Sequence, residues 1–193
     1  LMPEEEGTPL LELRGRAIDL SVALSLTHHK HLAPELEPTA VEAPFRLEVK
    51  NSDYDLTGII DITETRKGKG KKQFTTVRDT KTSKMRKQQQ AVDRDDQLTL
   101  YALARRVIDG KPPAAVYLDL LLKHKKIEAV SYVSERSIED FQNLLLRIEK
   151  MMNAIAQNVF IPCDPTSWVC TEKFCGYYRL CPFGERKQVK VPT

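Results

Sequence analysis

The chain has 193 residues, 41% of them hydrophobic and 30% charged, a balance that suits a soluble globular protein and excludes a membrane-embedded one. No apolar run approaches the roughly 18 to 20 residues needed to cross a bilayer, and no basic-then-apolar signal segment opens the chain, so an intracellular, cytoplasmic protein without a membrane partner is expected. The net charge of +3 is unevenly spread: residues 1–64 carry 13 acids against 5 bases, whereas residues 66–87 carry ten Lys or Arg and one acid, Asp79. Such a basic block is either a solvated loop or a contact for a polyanion, nucleic acid being the commonest.

Residues 1–9 are acidic with two prolines and read as a loose leader; the chain opens on Leu1 rather than methionine, consistent with a segment preceding it. From Leu10 to about His31, Leu13, Ala17, Leu20 and Leu24 recur at three and four, which predicts an amphipathic helix. Two prolines in HLAPELEPTA break it. Alternation of Phe45, Leu47 and Val49 with Arg46 and Glu48 predicts a half-buried strand over 41–50, followed by strands near 56–63 and 74–81 in a meander. The loop RKGKGKKQ between the last two carries Lys69, Lys71 and Lys72 among its five bases.

Residues 85–92 read as polar and flexible. A helix over about 95–109 is expected to bury Leu100, Leu103 and Val107 and to stop at Gly110. AAVYLDLLLK and KIEAVSYVS form a strand pair, and Ser137 with Asp140 gives a capping-box pattern opening a helix to about 158. Three strands, a helix, two strands and a closing helix make an α/β or α+β domain with a mixed sheet. The boundaries are a leader at 1–9, a core at 10–160 and a cysteine-rich tail at 161–193.

The chemistry-bearing residues fall on these elements in a definite order. Residues two apart in a strand share a face, so Asp79 and Lys81 project together while Thr80 points away. Asp61, flanked by Ile60 and Ile62, needs a partner, because an isolated carboxylate in apolar surroundings is costly. Two carboxylates from neighbouring strands beside an ammonium suit a hard divalent ion, Mg²⁺ or Mn²⁺. Gln97 and Tyr101 stack one turn apart on the following helix and can reach phosphate, sugar or base. Cys163, Cys170, Cys175 and Cys181 all lie within 19 residues, a clustering that favours metal or iron–sulfur ligation over disulfides in an unexported chain.

Gly58-Ile-Ile-Asp61, Asp79-Thr-Lys81-Thr, Gln97-Leu-Thr-Leu-Tyr101 and Cys170-x4-Cys175-x5-Cys181 together resemble the PD-(D/E)xK nucleases of the RecB type, including CRISPR-associated and phage exonuclease relatives. The resemblance covers residues 10 to 183. It implies a restriction-endonuclease-like core, a mixed central sheet flanked by helices, with a metal-binding cysteine staple at the C-terminus. It implies further that Asp61, Asp79 and the Thr80 carbonyl bind metal, that Lys81 is catalytic, and that Gln97 and Tyr101 form the motif after it. Many relatives carry a histidine ligand on the first helix, four residues after a glycine; here Gly15 leads to Asp19 instead, an aspartate that can still ligate Mg²⁺ and is expected to join the metal site. Glu42 reads as a structural or surface acid, and His28, His29 and His31 are assigned no catalytic role. The cysteine group resembles the one that holds a [4Fe–4S] cluster, with Cys163 or a residue of a preceding segment as fourth ligand and Zn²⁺ as the alternative.

The expected function is hydrolysis of DNA phosphodiesters by a divalent-metal-dependent nuclease acting on ends or single strands, with Lys69, Lys71 and Lys72 gripping substrate. The rival is a non-catalytic nucleic-acid-binding module on the same fold, which would have no need of both acids and Lys81.

Overall fold

A computed structural model describes residues 9–49, 54–67, 73–164 and 166–181; Lys69, Lys71 and Lys72 lie outside them. The chain divides into two compact units, Leu1–Arg147 and Ile148–Thr193. The first is built on a five-stranded sheet of β1 (Pro38–Glu48), β2 (Asp55–Lys67), β3 (Gln73–Ser83), β4 (Ala115–Leu122) and β5 (Glu128–Ser134), in that order across the sheet. All neighbours are antiparallel except β3 and β4. A parallel pair needs a crossover, supplied by α2 (Gln89–Asp93) and α3 (Asp96–Asp109). The mixed sheet with flanking helices is the α/β architecture expected from the strand and helix order.

Local chemistry sets the element ends. Asp95 caps α3 by accepting from the amides of Gln97 and Leu98, and Gly110 closes it in the left-handed conformation at φ 71°. Ser137 and Asp140 make the reciprocal capping box, each backbone amide donating to the other's side chain at 2.8 and 3.2 Å, and open α4 (Ile138–Ala156). Gly58 is required by close approach: a Cβ there would stand 2.6 Å from the ring of Phe45, its partner across the β1–β2 ladder.

Three expectations change. Residues 89–93 form α2 rather than a flexible run, because Val92 is wholly buried and the segment is tied down by Gln89 donating to the Val133 carbonyl. Helix α3 buries Leu103 as expected and packs Leu100 against the core, but its buried face also takes in Leu98, Tyr101 and Ala102 and leaves Val107 62% exposed. Helix α1 (Leu10–His31) has the expected bounds, but none of its residues is buried. No helix among the described residues is long and apolar enough to cross a membrane.

The core lies between the sheet and α3, where Val77, Val116, Leu118 and Leu120 meet Leu98 and Ala102, with Phe141 of α4 packed alongside. Burying a side chain of this size contributes about 1.5–3 kcal/mol. The core therefore holds α3 firmly over β3, and this fixes the candidate site.

Candidate active site

The site forms where two strands part. The β2–β3 ladder runs from Lys67↔Gln73 to Ile62↔Arg78 and ends there, while β3 continues beside β4 to Ser83. Beyond the last pair, Asp61 fills the opening: its Oδ2 accepts from the Thr80 amide at 3.0 Å. Side chains of β3 then alternate. Thr80 and Thr82 face α1, lining a cavity of about 390 Å³ with Ser21, Ser25 and His28, whereas Asp79 and Lys81 face α3.

On that second face one glutamine organises the group. Gln97 donates from Nε2 to Asp79 Oδ1 at 3.1 Å and to the Tyr101 hydroxyl at 2.7 Å, and its Oε1 accepts from Lys81 Nζ. Lys81 Nζ also lies 3.1 Å from Asp79 Oδ2, which is buried and accepts no well-directed hydrogen bond. Tyr101 is set in turn by Phe45, edge to face at 6.1 Å. The Lys81 side chain is 37% exposed, whereas that of Asp79 is 3% exposed.

Electrostatics follow from this geometry. Burial pushes the Asp79 carboxyl above its usual range; Lys81 opposes the shift, and the nearby Asp61 and Asp95 charges add to it. Burial also pushes the Tyr101 phenol up, so it remains a hydroxyl. An acid that is buried, short of one partner and close to a second carboxylate favours an additional cation.

Across the sheet lies a second charged group, in which the Glu64 carboxylate is fully satisfied. Arg78 donates from Nε to Glu64 at 2.9 Å and from a terminal nitrogen to both Asp119 oxygens at 3.2 and 3.0 Å, and its guanidinium lies over the Tyr117 ring at 3.9 Å. Glu64 also accepts from the Glu37 amide, Arg66 and Thr76. Despite the cost of burial, these donors hold its carboxyl down at about 2. Sequence reading missed this group, whose members come from β2, β3 and β4.

The model of the PD-(D/E)XK nuclease superfamily matches residues 3–182. The chain belongs to this superfamily. A solved structure, "Crystal structure of SSO0001", is similar at 15% identity, with a TM-score of 0.49, 89% of this chain and 79% of that chain being covered. No curated protein matches.

PD-(D/E)XK nucleases typically use Mg²⁺ or Mn²⁺, and Asp79 Oδ2, beside the Lys81 ammonium but without a well-directed hydrogen bond, forms with Asp61 a hard-oxygen donor set of the right chemistry. Among the described residues no three His, Cys, Asp or Glu side chains are grouped to hold an ion. Asp19 is exposed on α1 and is not brought together with Asp61 and Asp79. Glu42 is likewise exposed, in the left-handed region at φ 49°. His28 is brought beside Thr80 and Thr82, a placement that no local spacing in the chain signals.

In the second unit, tight turns fold residues 166–181. Asp164 accepts from the Thr166 amide at 2.8 Å, and further turn bonds join Cys170 to Ser167, Cys175 to Thr171 and Cys181 to Tyr177. All four cysteines are free and line one cavity of about 370 Å³ with Phe174, Tyr177 and Tyr178. Desolvation and the three neighbouring thiols push Cys170 above its usual pKa.

Proposed function

We propose that this chain is a divalent-metal-dependent deoxyribonuclease that acts on DNA ends or single strands. The observation that carries the reading is Asp79, a carboxylate 2% exposed, with one oxygen short of a hydrogen bond, held between Lys81 and Gln97 and close to Asp61. A purely structural acid at that depth would be satisfied, as Glu64 is.

Asp61 and Asp79 would hold the ion together with the Thr80 carbonyl, and solvent and substrate oxygens would complete a set that Mg²⁺ accepts from few protein groups. When bound, it would neutralise charge on the scissile phosphate and acidify an attacking water. Lys81, its side chain partly exposed, would hydrogen-bond a phosphate oxygen or orient the water. Gln97 keeps Lys81 and Asp79 at a fixed spacing, and Tyr101 keeps Gln97 in place. Asp19, which would stand where relatives carry a histidine, is tested by Asp19→Ala: a raised metal requirement assigns it to the site, and an unchanged metal titration removes it.

The four cysteines would hold a [4Fe–4S] cluster. Their shared cavity supports a common metal group, with Zn²⁺ as the alternative. Anaerobically purified protein should be brown, with about four irons per chain; colourless protein with stoichiometric zinc overturns it.

The deciding experiment is digestion of end-labelled linear and circular DNA, single- and double-stranded, with Mg²⁺ or Mn²⁺. Metal-dependent cleavage that spares circles supports the reading. Folded protein that cuts none of the four substrates overturns it.

A further inference from the structure

We infer that the turn after β4, residues 123–126, joins the segment after β3, residues 84–87, in one surface that grips the phosphate backbone of a single DNA strand beside the catalytic centre. The inference rests on the nuclease reading and adds the place where substrate is held.

Because β3 and β4 are parallel, with Lys81↔Leu120 and Ser83↔Leu122 in register, their carboxyl ends open on one edge of the sheet. In open α/β sheets this is where ligands bind. Ser83 lies two residues past Lys81, about 7 Å along the strand. The two segments beyond are joined: the Lys123 amide donates to the Ser83 carbonyl at 2.7 Å, and a ring nitrogen of His124 lies 2.9 Å from the Lys84 carbonyl. The Tyr132 hydroxyl donates to the Lys87 carbonyl at 2.8 Å. Side chains 40 residues apart in sequence thus share a braced surface, which lowers the ordering cost of binding.

The charge on this surface is in excess. Among the described residues, Arg86, Lys87, Lys123, Lys125 and Lys126 share this surface with Glu128, engaged by Arg86 at 2.6 Å, and Asp95, engaged by Lys87 at 3.2 Å. Lys123, Lys125 and Lys126 are exposed, and none pairs with an acid among the described residues. Like charges gathered at an edge repel one another, and a polyanion relieves the repulsion. Met85, 75% exposed between Lys84 and Arg86, adds an apolar contact for a sugar or base. Phosphate contacts carry no sequence information, so the surface suits a nuclease that accepts any strand.

The test is a triple variant, Lys123→Gln with Lys125→Gln and Lys126→Gln, compared with wild type and with the corresponding triple Lys→Arg variant. Binding of a labelled single-stranded oligonucleotide is measured across a salt series, with Ca²⁺ suppressing cleavage. Each lost contact to a single strand lowers the slope of log affinity against log salt by about 0.7, so the Gln variant should lose about 2 from its slope and bind at least about tenfold more weakly at low salt. The Arg variant should keep the wild-type slope. Parallel lines for wild type and the Gln variant, in protein that still cleaves DNA, overturn the surface and leave the nuclease reading standing. Folded wild type that neither binds nor cleaves DNA overturns both.

Discussion

Glu64 and Asp79 are both buried acids on adjacent strands, fifteen positions apart in the chain, yet their carboxyls are pushed in opposite directions. Glu64 receives hydrogen bonds from two arginines, a threonine and a backbone amide and stays ionised down to about 2. Asp79 has one amide donor on Oδ1 and the Lys81 ammonium near Oδ2 without a well-directed hydrogen bond, and burial pushes it up. Depth is the same; donor count differs. The first arrangement is a structural ion group that braces three strands, and the second is an acid held short of its requirement, the state expected of a group that receives a cation in its working form.

The largest effect should come from removing the incomplete side. Lys81→Ala and Asp79→Ala should each lower DNA cleavage by about 10²–10⁴ or more with little change in folding, because Lys81 packs no core. Full activity in either purified variant would break the comparison, since Asp79 would then be a second structural acid.

Next comes the complete side. Glu64→Gln leaves Arg78 with Asp119 alone, and breaking a buried ion group in this way costs about 3–5 kcal/mol, or roughly 6–20 °C in Tm for a protein of this size. The pH dependence should change as well. A carboxyl held at about 2 contributes stability that is fully present above its unfolded value of 4.5 and is lost as pH falls through 2. Wild type should therefore lose stability between those limits, by about 3 kcal/mol for this group, and Glu64→Gln should show a flatter acid limb. An unchanged acid limb would mean that the carboxylate is not held down by its partners.

How much of this contrast can be read from the chain depends on distance. Asp79, Lys81, Gln97 and Tyr101 were legible because strand and helix periods place residues two and four apart on one face. The braced triad was not: Arg78 meets Asp119 across 41 positions, and only the strand order brings them together. The far end of α3 was misjudged for a related reason, Val107 being exposed. Leu100, Leu103 and Val107 make a plausible apolar stripe, but the helix turns so that Tyr101 packs on Phe45 and Gln97 reaches Asp79. Helix α2 was missed because Val92 is its single buried residue.

A smaller effect separates strain from chemistry at Asp79. An acid whose folded pKa is raised costs stability at neutral pH, because the unfolded chain gives up the proton more readily, and the cost disappears as pH falls below the unfolded value. In metal-free buffer Asp79→Asn should therefore raise Tm by a few degrees while cleavage is lost, the trade expected where function requires a destabilised group. Mg²⁺ should raise the Tm of wild type and not that of the variant. A lower Tm for Asp79→Asn without metal would show that the Lys81 pair outweighs burial.

The smallest effect tests how the incomplete site is held in shape. Tyr101→Phe removes only the hydroxyl that accepts from Gln97 Nε2 at 2.7 Å; the ring and its edge contact with Phe45 remain. One neutral hydrogen bond contributes about 0.5–1.5 kcal/mol, so Tm should move by only a few degrees at most. Gln97 keeps its bond to Asp79 and its contact with Lys81, so the site stays assembled but with a less constrained glutamine. Cleavage should fall by about threefold to tenfold, the range that corresponds to such a bond, with the loss in kcat rather than in DNA affinity, since Tyr101 is buried. A loss comparable to that of Lys81→Ala would place the phenol in the chemistry itself. An unchanged kcat would mean that Asp79 and Lys81 suffice to fix Gln97, and that the second contact along the helix is packing alone.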